Sequence, residues 1–529
     1  MKIITIKIFR LALFILLFIY FTSSSYSKEI TNSSTNSNYS LQVIKSVANN
    51  LKYILCNSIS KIFDFKSIRS GGGGGGGGGS SGGFSSGSRR TGYRSSTRYE
   101  SSTRIFFVIA GGLVVILFIY FLIKYKKSKK LKELNLPFGS KVEDFNQKKF
   151  REFVINNPNF NKKEFLLKVK TAFFDIQNAW SEKDLSKVRK YISDGVYQRY
   201  NTQFKMMNLL GQENPLSKIK VYNIALQRCF SDGDYSIIDV KIDAGMFDQF
   251  VCKSHPELNS PGGWEDFTEY WSFIQKRGII SKDIFNSNRC PNCDAELQKD
   301  MGEVCKCQFC GAFINSGEFD WVLSEITQEN DYKVGHTLTA SSYYQKKLKD
   351  FMGKHPDFCS QLVEDKASNG YMQIMTAITL KEPSIMRRFV TDNAFEKFKR
   401  FIADEDIVFN RLYLNTVMLY DLNTKNGTDF LVFLIRKSFQ RIKMLDNNRI
   451  KILDEDIKTE NEYLVMQRDV NPEISKSSIY VHLCSSCGAS IEDSLDIYCN
   501  YCGSLLNSSK KEWIIADIVN NDELDVYLG

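Results

Sequence analysis

The sequence predicts an α+β fold class written twice, helices first and antiparallel strands after, behind an apolar leader and one membrane span. Three observations carry this. The C-terminal four hundred residues repeat at one long offset, apolar spacing changes from helical to strand-like within each copy, and each copy holds two Cys-x-x-Cys pairs.

The chain opens with a signal-peptide layout at 1–27. Lys2, Lys7 and Arg10 precede the apolar run Leu11 to Phe21, and Ser25-Tyr26-Ser27 offers small residues for cleavage. An uncleaved membrane helix is the alternative. Residues 28–103 contain nine consecutive glycines, Gly71 to Gly79, then Ser/Gly/Arg-rich sequence. Such composition buries too little apolar surface to offset ordering entropy, so an extracytoplasmic disordered segment is expected.

Ile105 to Ile123 holds 19 uncharged residues, about 28 Å of helix, which predicts a transmembrane helix over 104–124. Lys124, Lys126, Lys127, Lys129, Lys130 and Lys132 begin a basic linker (125–144). The positive-inside rule then places everything beyond it in the cytosol, on a single-pass chain of the cell (inner) membrane. The formal net charge of +10 is misleading. The first 133 residues hold 20 of the 70 basic residues and 4 of the 60 acidic ones, leaving the rest at −6. A mildly acidic soluble part argues against nucleic acid as a partner.

Beyond the linker, Gln147-Lys148-Lys149 recurs as Gln345-Lys346-Lys347, and Tyr191-Ile192-Ser193-Asp194 as Phe389-Val390-Thr391-Asp392, both at an offset of 198. Trp321-Val322-Leu323 pairs with Trp513-Ile514-Ile515 at 192. This period means two copies of a whole domain, since solenoid repeats run at roughly 20 to 50 residues. The copies are placed at 145–328 and 343–525, with Gln328 to Ser342 between them. In the first, Phe165, Val169, Phe173, Ile176 and Trp180 define one helix face; Leu185, Val188, Ile192, Val196 and Tyr200 define a second helix. Strand spacing follows at Ile219 to Leu226, Tyr235 to Ile242, Thr268 to Gln275 and Phe319 to Ile326. In the second copy, Tyr371 to Ile378 and Ile385 to Phe398 supply helices. Phe409 to Tyr420, Asp429 to Lys443, Tyr463 to Arg468 and Trp513 to Val519 supply strands.

The metal motifs are Cys290-Pro-Asn-Cys293 with Cys307-Gln-Phe-Cys310 (ribbon 286–316), and Cys484-Ser-Ser-Cys487 with Cys499-Asn-Tyr-Cys502 (ribbon 481–508). Two such knuckles supply four thiolates at ~2.3 Å, the closed arrangement of a structural zinc site, with no open position for catalysis. Two structural zinc ions are therefore expected. Disulfides are disfavoured in a reducing compartment, and iron is the chemical alternative. Cys305 is a fifth candidate in the first site. Cys56, Cys229, Cys252 and Cys359 lack a partner pattern. Each ribbon interrupts the connection before the last strand, so a rigid projecting knob is expected.

With its ribbon set aside, the first copy resembles the Tim-forty-four-like (Tim44-like) domain, that of the mitochondrial inner-membrane import-motor scaffold and of bacterial membrane-anchored members. The residues carrying the resemblance are Phe173, Ile176, Gln177, Ala179 and Trp180, then Asp184-Leu185, Tyr191 and Tyr197. Glu269-Tyr270-Trp271-Ser272-Phe273 and Trp321-Val322-Leu323 with Ile326 carry it onward. The second copy departs, with Ile378 for Trp180 and Leu464 for Trp271. The resemblance implies cone-shaped, nuclear transport factor two-like domains, a pocket between helices and curved sheet, recruitment of a protein partner at the membrane, and no catalytic residue. Two modules on one tether would raise effective concentration for a bivalent partner. The alternative is a sensor binding a lipid or small molecule in the cone pockets. An enzyme is disfavoured: His255, His336, His355 and His482 sit in no nucleophile or paired-carboxylate constellation. His255 and His355 look like turn residues, His482 a neighbour of the second metal site, and Asp239 and Asp243 a solvated strand face.

Overall fold

A computed structural model describes residues 146–528, except 334–340, 357, 405–406, 446–448, 473–481, 483, 485 and 492–494. The expected signal, glycine-rich segment, membrane span and basic linker lie outside the described residues, as do Cys56 and His336. Among the described residues no helix is long and apolar enough to cross a membrane.

The first half begins with α1 (Gln147–Asn156), whose cap Asn146 accepts from the N–H groups of Lys148 and Lys149. The long helix α2 (Lys162–Glu182) buries Phe165, Val169, Phe173, Ile176 and Trp180 as their spacing predicts. It ends on Lys183 in the left-handed region (φ 54°). The next element departs from expectation. Arg189–Tyr191 is a single 3₁₀ turn, Ile192 pairs with Leu323 in parallel, and α3 runs Asp194–Leu210. The Ser193 N–H is spent on Leu323 O (2.9 Å) and its hydroxyl accepts from Val196 N–H, which starts α3 there. Leu185, Val188 and Ile192 therefore reach the core from an irregular stretch rather than from a helix face.

Strands β1 (Gln212–Glu213) and β4 (Val251–Cys252) make a small ribbon. The main sheet holds β2 (Leu216–Asp232), β3 (Tyr235–Asp248), β5 (Gly263–Lys276) and β6 (Val322–Gln328), in the order 2-3-5-6 and antiparallel throughout. The strands run longer than their apolar periods because edge residues pair while half exposed.

The second half has α4 (Ser342–Lys354), α5 (Ser360–Leu380), a 3₁₀ turn (Pro383–Phe389) and α6 (Asp392–Asp404). Its sheet holds β7 (Ile407–Lys425), β8 (Thr428–Leu445), β10 (Lys458–Asp469) and β11 (Ile514–Val519), with β9 (Arg449–Ile452) added against β8. The helix expected from Ile385 is split at Val390, which pairs with Ile515 as Ile192 does with Leu323. Finer irregularities recur at the same spacing. Lys381 caps α5 at φ 58° as Lys183 caps α2; Arg411 (φ 50°) answers Lys218 (φ 54°). The sheet bulge at Ser272/Phe273 recurs at Val465/Met466.

The halves are not beads on a tether. Helices α3 and α5 face each other along a polar seam. There Arg199 Nε donates to Ser368 Oγ (2.7 Å), Thr202 Oγ1 lies 2.7 Å from Thr376 Oγ1, and Gly195 N–H donates to Asp365 (3.2 Å). Apolar contacts add to it. Ile237, Ile274 and Val322 of the first sheet pack on Cys359 and Leu362, and Tyr413 enters the first core beside Trp180. The expected gain from independent modules therefore does not apply. Asp239, expected on a solvated face, is fully buried between Arg228, Ser272 and Tyr332; Asp243 stays half-exposed beside Lys241.

Candidate metal centres

Each of the four knuckles is a tight backbone loop closed on a cysteine. Cys290 N–H donates to Ala295 O (2.7 Å), Cys307 to Ala312 O (2.9 Å), Cys484 to Ala489 O (2.8 Å) and Cys499 to Ser504 O (2.9 Å). The loops return through a left-handed residue: Gly311, Gly488 and Gly503, and in the first knuckle Asp294 at φ 60°. Glycine meets that conformation without a Cβ penalty, and Asp is among the few side chains that tolerate it.

These loops bring together Cys290, Cys293, Cys307 and Cys310, and separately Cys484, Cys487, Cys499 and Cys502, each set with its sulfurs within 4.8 Å of one another. The closest pairs are 3.7 and 3.8 Å in the first set and 3.6 and 3.7 Å in the second. A tetrahedron of thiolates at ~2.3 Å from one ion has edges of about 3.8 Å. A disulfide needs sulfurs at ~2.05 Å, so these are not cystines. Burial opposes ionisation, and the Cys290 thiol is pushed up to about 12. Against the same penalty, the Asn292 amide and the Ala312 N–H bring Cys310 down to about 6. Four thiolates this close repel one another, and a central cation is the charge that would balance them. The donor sets fit a four-sulfur metal site.

Cys305 is not part of the first set. Its sulfur is buried 3.7 Å from Arg189 O and 3.7 Å from Met301 Sδ. Cys229, Cys252 and Cys359 are single and buried.

The ribbons are not projecting knobs. The first is welded to the domain: Cys290, Met301 and Cys307 join the main core, and Phe285 stacks on Tyr191 at 4.4 Å. Arg189, fully buried, donates to Gly302 O (2.8 Å) and Glu303 O (2.7 Å) and pairs with Asp194 (2.5 Å). The second ribbon keeps a small core of its own around Ile491 and Leu506. It leans on the first through Lys306 Nζ to Ser490 Oγ (3.1 Å), and His482 turns away from the metal set towards Asp194. Nothing in a local motif marked Arg189 and Asp194. The available signal was their recurrence as Arg387 and Asp392, which also pair.

The histidines do no visible chemistry. His355 is buried against Asp429 (2.9 Å), and His255 is buried at the start of a 3₁₀ turn. Between α2 and its sheet the interior is filled by Phe173, Trp180, Trp271 and Phe273, each no more than 2% exposed. Trp180 Nε1 donates to Asn214 (2.6 Å), and Trp271 Nε1 to Glu269 (2.9 Å). By contrast Phe309 and Tyr501, each between the two cysteines of a knuckle, are 66% and 69% exposed.

No curated protein matches this chain. A solved structure described as "Ntf2 like protein involved in plasmid conjugation" is similar over 65% of this chain and 93% of its own, at 9% identity and a TM-score of 0.11, a level that carries no argument. Residues 146–283, from the cap of α1 to the threshold of the first ribbon, match the family model of the Tim44-like domain.

Proposed function

We propose that the chain is a membrane-anchored, cytosol-facing, non-catalytic scaffold that recruits a protein partner at the bilayer. On this reading it is built from two tandem Tim44-like copies, each stiffened by an inserted ribbon around one structural zinc ion. The carrying observation is the pairing of a packed interior with bare aromatic tips. The first cone is occupied by its own tryptophans, which disfavours a lipid or small-molecule sensor there, while Phe309 and Tyr501 stand in solvent on metal-braced loops. An aromatic held rigid and exposed costs little entropy to dock, the property of an interface anchor.

The test uses the full-length chain in its own cells, with a photo-crosslinking residue at Phe309, at Tyr501 or at the exposed helix position Leu167 as control. The expected result is a shared protein adduct from both ribbon positions, absent at Leu167 and lost when Cys293 and Cys487 are replaced by Ser. Adducts equally strong from Leu167, or adducts to lipid alone, would overturn the reading.

A further inference from the structure

Between the halves lies a cleft of about 360 Å³, within the range of small-ligand sites. The first half contributes Arg228, Phe230 and Asp232; the second contributes Tyr344, Glu364 and Met418. No cysteine lines it, so a ligand bound there would go beyond the scaffold reading and would not depend on the ribbons.

The charges in this cleft do not balance. Glu325 is paired with Arg199, Asp331 with Arg436 (2.6 Å), and Arg228 is taken by Asp239 (2.8 Å). Glu364 accepts the Leu419 N–H (2.8 Å), and Asp232 accepts the Gln361 N–H (2.9 Å). Among the described residues neither carboxylate has a Lys or Arg within ion-pair distance. The Thr416 hydroxyl in the same wall is more than nine-tenths buried and lacks a hydrogen-bond partner among the described residues. A buried anion without a counter-charge is costly and calls for one.

The missing cation is not a metal ion. Among the described residues the only His, Cys, Asp or Glu groups close enough to share one are the two cysteine sets. The wall beside the carboxylates is instead made of Leu348, Met352, Val417 and Met418, a surface for a hydrocarbon stem, with the Tyr344 ring available to an ammonium group. We propose that this inter-half cleft binds a primary alkylammonium group, its nitrogen held by Glu364 and Asp232 and its aliphatic stem lying along the methionine wall. A free amine and a lysine side chain of a polypeptide share this chemistry.

Protonation agrees with the geometry. Burial, with the Glu325 and Asp232 charges behind it and only the Leu419 N–H opposing strongly, pushes the Glu364 carboxyl up to about 8. Burial also raises Asp232. The other titratable groups facing the cleft are Glu325, Asp331, Arg228, Tyr332 and Tyr344, and both tyrosines are raised far above neutral pH. Ammonium binding requires ionised Glu364, so affinity should rise about tenfold between pH 7 and pH 9, while the amine itself stays mostly protonated.

Calorimetric titration of the full-length chain in detergent tests this with three probes: 1,5-diaminopentane, N-acetyl-lysine methylamide and the neutral 1,5-pentanediol. Both ammonium probes should bind at one site and the diol should not. The preference between the first two tells a free amine from a polypeptide side chain. Glu364→Gln should weaken binding at least tenfold and flatten its pH profile, with the unfolding midpoint unchanged or raised. Asp232→Asn should weaken it too, and the exposed Glu318→Gln should not. The proposal is overturned if neither ammonium probe binds, if the diol binds as tightly, or if Glu364→Gln or Asp232→Asn binds like the parent. Equal weakening by Glu318→Gln also overturns it.

Discussion

His482 Nε2 of the second ribbon meets Asp194 Oδ2 of the first half at 2.7 Å, across 288 residues of chain. Asp194 also pairs with Arg189 (2.5 Å) and accepts from Asn315 (3.1 Å). Burial opposes this carboxylate, but Arg189 and His482 together hold it well below the usual carboxylate range. One carboxylate at the start of α3 thus ties both ribbons to the first domain. The ring of Phe313, from the first ribbon, lies 5.3 Å from that of His482.

Asp194 and its counterpart Asp392 should behave differently. Asp194→Ala leaves Arg189 charged and buried, a loss of about 3–5 kcal/mol. Asp392 is 86% exposed, and Asp392→Ala should cost no more than about 1 kcal/mol. Chemical denaturation of the two variants checks this, and equal losses would contradict the role of Asp194 as the tie between ribbons and domain.

Metal analysis should find about two zinc ions per chain, and about one after either Cys307→Ser or Cys499→Ser. The two variants should differ in stability. Cys307 belongs to the main core and Cys499 to the small separate one, so the first should lower the unfolding midpoint further. Chelation should speed hydrogen exchange in both ribbons and leave the helical circular dichroism largely intact.

Gly195 sits where α3 touches α5, and a Cβ there would collide with Asp365 Oδ1 and would meet Asp365 O at 2.6 Å. The second of these oxygens is backbone and cannot swing aside. Gly195→Ala should cost about 1–3 kcal/mol and raise hydrogen exchange along α3 and α5. Unchanged exchange there would mean the helices can part without loss.

Asp365 bears on the pH profile. Burial pushes its carboxyl up to about 7, with the Asp194 charge adding to the rise and Ser193 opposing it. The folded state therefore holds a proton that the unfolded chain releases near pH 4. Relative to acid conditions, this group withdraws stability as pH climbs from about 4 to about 7, and the loss is complete above that. Asp365→Asn should flatten the unfolding midpoint between pH 5 and 8. A variant profile parallel to the parent's would rule out Asp365 as the cause.

Much was written locally. The helix face from Phe165 to Trp180 needs only spacing, and each knuckle needs only two cysteines around a short turn. The metal sets were therefore legible before any fold was known, because their ligands lie close in sequence and chemistry restricts what four sulfurs can hold. The break at Ile192 was not, since an apolar residue at helical spacing looks the same whether its N–H group serves a helix or a distant strand such as β6.

What the sequence alone determined is the α+β order of elements, the eight metal-set cysteines and the recurrence at 198 residues. The tertiary structure decided the rest: that the ribbons lie against the first domain, that Asp239 is buried, and that Glu364 and Asp232 share a cleft without a cation. The physical reason is range. Spacing encodes what a residue does with its neighbours a turn or a strand away, whereas the cost of burying a charge depends on which remote surface closes over it.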